Sequence, residues 1–338
     1  MAKMAVTTLL LACYNAALAR LGYHCLWKLP FKHGAGASVA RTRSSGTLPD
    51  GTPLLRRYTG IAWLDRRLEP AVIFYHGSLF DRRDPARRLL LVQVHSGMQA
   101  TALCMLALSC AHTSPHALIE PAFWGIFNQA YGAAFVYPLY LLRHAHSARA
   151  FPSLPPPSPA LAIVAALGQA APAILLFPAF VRCSPSCAHR AIALYRFSPP
   201  ALVLLFFMLD KMTASSSLTQ PALPLLIAGT AAAFGHLYAV LGALRAGGAR
   251  LLRRVFWPDN AIRAGSITDA AHLFLQYDVV VMAAAYLPYA FVLLGPVRAD
   301  PGSLLGGMGA LRLSSLLVAA MLAIGPGAVL AFALAARI

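Results

Sequence analysis

Two carboxylates sit where a hydrophobic chain ordinarily excludes them. Glu120 lies near the start of LIEPAFWGIFNQAYGAAFVYPLYLL (118–142), a 25-residue stretch with no basic residue. Asp278 lies inside HLFLQYDVVVMAAAYLPYAFVLL, with apolar residues on both sides. A carboxyl group in an apolar cavity has its charged form disfavoured and can stay protonated near neutral pH. Such an acid can protonate an epoxide oxygen or an alkene. The cation that results needs a pocket poor in water and lined with aromatic faces, each contributing ~0.5–2 kcal/mol.

The neighbours of both acids fit that chemistry. Glu120, Trp124, Phe127, Asn128 and Tyr131 follow at offsets that share one helical face. Gln129 is adjacent. On the second stretch Phe274, Asp278, Met282, Ala285, Tyr286 and Tyr289 share a face, with Tyr277 beside the acid. Ionisable and amide groups at membrane depth turn towards protein or a cavity rather than lipid. In the run 89–111, His95 and Gln99 are four residues apart, and either a packing role or a place in the pocket suits His95. Asp65, Glu69 and His76 share a face further upstream, and intrahelical ion pairs at a solvated helix end account for Asp65 equally well.

Other chemistries lack their residues. There is no Asp-rich pair for magnesium diphosphate, no GxSxG, no HExxH and no P-loop. Cys183, Cys187 and His189 make an incomplete zinc set. The expected site therefore uses neither cofactor nor metal.

The elements that must hold these residues are long apolar runs separated by Arg/Pro/Gly-rich breaks. Of 338 residues, 59% are hydrophobic and 12% charged, about half the charged share of a soluble domain. The fold class expected is all-α, a polytopic transmembrane bundle of about eight spans (seven to nine). The runs lie at 71–80, 89–111, 118–142, 160–181, 198–210, 221–244, 270–295 and 313–336. A Pro-rich connector occupies 153–160. Residues 1–57 divide off as an N-terminal apolar segment plus a basic, loosely ordered linker, and 58–338 form the multi-pass domain. The apolar segment at 4–21 suits a signal peptide or a retained first helix. The net charge of +17 is scattered through the loops, which points to anionic lipid headgroups and away from nucleic acid.

Four segments carry a resemblance: YTGIAWLD (58–65), LVQVHSGMQA (91–100), IEPAFWGIFNQAYGAAFVYPLYLL and FLQYD (274–278). In order and spacing they resemble the fungal membrane-bound terpene cyclases of the ascofuranone/ascochlorin type, over roughly 58–336. The resemblance implies proton-initiated cyclisation of an epoxidised farnesyl chain on an aromatic core, in a meroterpenoid pathway. It implies a lipophilic prenylated substrate, an endoplasmic reticulum or other endomembrane location, and possible association with pathway enzymes. It carries Glu120, Asn128, Gln129 and Asp278 over as pocket positions. The chain departs from the family in its long basic N-terminal region and its Ala/Arg/Pro bias. A transporter or receptor for a small hydrophobic ligand, or a membrane scaffold, are the competing readings of the same buried acids.

Overall fold

A computed structural model describes residues 2–80, 84–110, 119–144, 158–213, 220–260 and 262–338, with side chains from residue 9 onward. Most of the Pro-rich connector, at 153–157, and the loop that leads into the Glu120 stretch lie outside the described residues.

The described residues are helical, with one isolated β-bridge between Thr47 and Pro53. In chain order the helices are α1 (Ala2–Tyr23), which runs through a π-helical turn (His24–Lys28) into α2 (Leu29–Lys32), then α3 (Ala35–Ser45), α4 (Ala62–Phe80) and α5 (Pro85–Cys110). Next come α6 (Ile119–Tyr131), α7 (Ala133–His144), α8 (Pro159–Leu167), α9 (Ala170–Phe180), α10 (Pro185–Tyr195) and α11 (Ser198–Thr213). The chain closes with α12 (Leu223–Phe256), α13 (Ile267–Leu293), α14 (Gly295–Ala299), α15 (Ala310–Ile324) and α16 (Pro326–Ala335).

Local chemistry sets several of these starts. Asp84 accepts the Ala86 N–H at 3.2 Å ahead of Pro85, the position where a missing proline N–H costs nothing. Ser266 accepts the Asp269 N–H at 3.2 Å and opens α13, and Ser184 accepts the Cys187 N–H to open α10.

Helix α5 is the axis of the bundle: 83% of its most apolar 18-residue window is buried, against 33% for α12. The most extensive helix contact joins these two, and α16 packs against both. Large apolar side chains remain on the outside, Phe234 at 68% and Leu322 at 74% exposure among them. Apolar surface on this scale is compatible with a membrane protein.

Among the described residues, four segments are long and apolar enough to cross a membrane: α5, α8 with α9, α12 and α13. A fifth follows if α10 and α11, bent by 56° at their junction, count as one. The described residues are all-α as expected, and they supply four to five candidate spans rather than about eight. Helix α4 begins with a charged stretch and falls short. The 313–336 run breaks at Gly325 (φ +86°) into helices of 15 and 10 residues. The expected loose linker at 22–57 instead holds α2 and α3, with the Arg43 guanidinium 2.8 Å from Glu69.

The largest departure concerns 118–142. It is not one span but a helical hairpin, α6 and α7, folded back at Gly132. Glu120 near one end touches Arg143 and His144 at the other, at 2.8 and 3.1 Å. The hairpin therefore enters the bundle and returns to the level it started from. Gly132 has φ +91°, and a Cβ there would meet Phe274 and Leu26 at 2.5 and 2.6 Å. Both the left-handed backbone and the lack of space demand glycine. Gly132→Ala is expected to lower stability by about 1–3 kcal/mol, read as a fall in thermal midpoint of the detergent-solubilised protein. A wild-type midpoint would show that the fold-back does not depend on this residue.

Candidate functional site

The apex of the hairpin is where polar groups collect. The first turn of α7 leaves its N–H groups without partners in its own helix. Asp278, 1% exposed on α13, supplies one: its Oδ1 accepts the Ala134 N–H at 2.7 Å. The last carbonyls of α6 are met in the same way. Arg196 donates to the Gln129 carbonyl, and Trp27 Nε1 donates to the Tyr131 carbonyl at 3.0 Å. A cation stands at the helix C-terminus and an acid at the helix N-terminus, the arrangement that both helix dipoles favour.

Asp278 Oδ2 is buried with no hydrogen-bond partner among the described residues. It belongs to the wall of a cavity of about 270 Å³, shared with Asn128, Gln129, Arg196 and Met98 and with the aromatic rings of Trp27, Phe74, Tyr75, Tyr195 and Phe274. Arg67, exposed, lies on its rim. Asn128 Nδ2 donates to the Tyr137 hydroxyl at 3.1 Å, and its Oδ1 has no partner. Gln129 Nε2 is spent on the Tyr195 carbonyl and Ser198 Oγ, each at 3.2 Å.

Of the residues singled out from sequence, Asp278, Asn128, Gln129 and Phe274 thus share one cavity, and the other candidate site residues stand elsewhere. Glu120 Oε1 accepts from Trp124 Nε1 at 3.1 Å and from Arg143 and His144, away from this cavity. Trp124 packs edge-on against Tyr140. Tyr131 is 41% exposed, in ring contact with Trp27 and Phe127. His95 is fully buried behind the wall, with Nδ1 2.9 Å from the Leu91 carbonyl and Nε2 3.2 Å from the Tyr75 hydroxyl. Tyr277 donates to Asn260 at 2.9 Å. Tyr286 lies in the core, 2.8 Å from Thr101 Oγ1 and stacked on Tyr137.

Sequence reasoning missed Tyr75 and Arg196. A lone arginine inside AIALYRF was the available signal for the second. Asp65, for its part, is buried and clasps the turn before α4, accepting from the Tyr58, Thr59 and Gly60 N–H groups and from Thr59 Oγ1. Among the described residues no group of three His, Cys, Asp or Glu side chains could hold a metal ion.

With this geometry in hand, the comparisons place the chain. A CtvD domain matches residues 7–337, and the chain belongs to that family. It is 42% identical to "Terpene cyclase alnG" of Emericella nidulans, covering 96% of this chain and 93% of that one. It is 30% identical to "Terpene cyclase DEP1" of Alternaria brassicicola (95% and 96% covered) and 26% identical to "Terpene cyclase DEP1" of Fusarium langsethiae (82% and 84%). No solved structure matches the chain. The resemblance read from the four segments holds, and relatives that span nearly the whole chain support an enzyme of the cyclase kind.

The Glu120 cluster sets a pH dependence. Burial raises its pKa, but hydrogen bonds from Trp124 and His144 and the charges of His144 and Arg143 outweigh this and hold it below its ordinary value near 4.5. A depressed carboxyl contributes stability above that ordinary value and loses it as pH falls through the folded-state value. Glu120→Gln should cost up to about 1 kcal/mol at neutral pH and leave a shallower decline on the acid side. Melting midpoints between neutral and acid pH check this; parallel curves would remove the ion cluster as a stabilising element.

Proposed function

We propose that the protein is an integral-membrane terpene cyclase in which Asp278 starts the reaction by proton transfer. The observation that carries this is the divided carboxyl. Oδ1 is held by a backbone N–H, which fixes the group, while Oδ2 is buried with no partner among the described residues, on a residue that lines the cavity. An acid that protonates an olefin or an epoxide needs its proton in that position. Five rings around the same space supply the cation–π stabilisation that the ensuing carbocation requires, ~0.5–2 kcal/mol per ring.

The balance of the reaction is simple. Asp278 gives a proton to the epoxide oxygen or terminal alkene of a prenyl chain, and internal double bonds close on the cation in turn. A proton then leaves the last cation, so that substrate and product are isomers and no redox cofactor is consumed. Tyr75 is the proposed exit: with His95 Nδ1 donating to Leu91, His95 Nε2 accepts from the tyrosine hydroxyl. Its oxygen can take a proton from the cation as it passes its own to the histidine.

The substrate proposed is the prenyl chain of a meroterpenoid intermediate, reached from the lipid of an endoplasmic reticulum or other endomembrane, with pathway enzymes as neighbours. Asn128, with its unpartnered Oδ1, and Gln129 line the same space. Glu120, two turns further out on α6, is proposed to hold the hairpin closed rather than to touch substrate.

The test is Asp278→Asn in membranes of a host supplied with an epoxyfarnesyl phenol. The amide keeps an oxygen for the Ala134 N–H, so the melting midpoint should stay near wild type. Cyclised product should fall about 10²–10⁴-fold. Glu120→Gln should retain turnover per folded molecule. Undiminished product from Asp278→Asn would remove that residue as the acid.

A further inference from the structure

A second cavity, of about 660 Å³, opens where three of the apolar segments end: the start of α5, the end of α12 and the start of α13. Its wall carries Arg87, Arg250, Arg253, Arg254 and Arg263 against Asp84, Asp259 and Asp269. We propose that it binds the phosphate of an anionic phospholipid headgroup.

The charge arrangement is the first argument. Arg87 and Arg254 share Asp84, at 3.2 and 2.7 Å, and Arg87 and Arg263 share Asp269, at 2.9 and 2.6 Å. Two carboxylates are thus spread over three guanidiniums. Arg250 and Arg253, both exposed on the last turns of α12, make no ion pair among the described residues. The cavity keeps a surplus of planar, bidentate donors that match phosphate oxygens.

The remaining polar atoms point the same way. His272 Nε2 bonds to the Arg254 carbonyl at 3.0 Å, and Gln276 Nε2 bonds to the Arg254 and Trp257 carbonyls at 2.7 and 2.9 Å. The Arg254 and Trp257 carbonyls are therefore occupied. With Nε2 donating, His272 Nδ1 is an acceptor, and it is buried without a partner.

Location selects lipid over a soluble ligand. Apolar helices stop at this level, and Trp257, 66% exposed on the rim, is the residue type that settles at headgroup depth. Basic pockets at such a level take up acidic headgroups. Occupancy would also orient the protein, turning this end to the leaflet that carries the anionic lipid.

The experiment is native mass spectrometry of the full chain purified in neutral detergent with equal phosphatidic acid and phosphatidylcholine. Wild type should retain phosphatidic acid preferentially. The preference should drop about fivefold for Arg250→Gln or Arg253→Gln alone and about 25-fold for the pair, following the usual gain per surface arginine. Arg245→Gln, on α12 but outside the cavity, should change nothing. Equal retention of both lipids by wild type, an unaltered double variant, or an equal loss from Arg245→Gln would overturn the site. Displacement of the lipid by inorganic phosphate at matched concentration would overturn the lipid in favour of a soluble phosphate. None of these readouts depends on Asp278 or on turnover.

Discussion

The structure turns on one hydrogen bond, from the Ala134 N–H to Asp278 Oδ1. Backbone polar groups inside an apolar layer have no water to satisfy them, so a helix cannot simply stop there. A hairpin that folds back inside an apolar bundle exposes the last carbonyls of one helix and the first N–H groups of the next. Asp278 takes up the Ala134 N–H, and Arg196 and Trp27 take up the Gln129 and Tyr131 carbonyls. Without those three side chains the fold-back would leave several polar groups unsatisfied, each costing on the order of a few kcal/mol.

This solution creates the site as a by-product of the fold. The residues that close the helix ends converge on the apex, so an acid, a cation and an indole arrive in one place. Paired helix ends within a bundle serve as ion and substrate sites in broken-helix membrane proteins for the same reason. Asp278 lines the cavity with its two oxygens in different states: one closes the α7 terminus, and the other is buried without a partner among the described residues. Replacing it by a group that cannot accept a hydrogen bond would confuse folding with chemistry.

The four segments that pass as spans were legible because each is a long apolar run whose hydropathy alone fixes its class. The hairpin was not. A 25-residue apolar stretch is long enough to cross, and nothing in its hydropathy says that it turns back; the only mark was Gly132, one small residue among many. The break before Pro326 was written more plainly, since Gly-Pro is a strong punctuator. Asp278, Asn128 and Gln129 could be found because polar side chains stand out against an apolar run. Tyr75 and His95 could not be paired, since their contact joins separate helices. Helical spacing grouped Glu120 with Asn128, but Asn128 lines the cavity while the partners of Glu120 come from the far end of the hairpin, a long-range fact.

The two polar centres also calibrate each other. Both lie on α13, with Asp269 in the basic cavity near its start and Asp278 nine residues on. At 1.5 Å per residue the acid stands about 14 Å further along the helix. If the arginine-rich level marks the headgroup boundary, that depth is roughly the middle of a ~30 Å hydrocarbon core. A chain dissolved in the acyl layer would meet Asp278 without passing through water. On the proposed mechanism, that depth would suit a substrate whose reacting end is its most lipophilic part and would keep water from the cation before the ring closes.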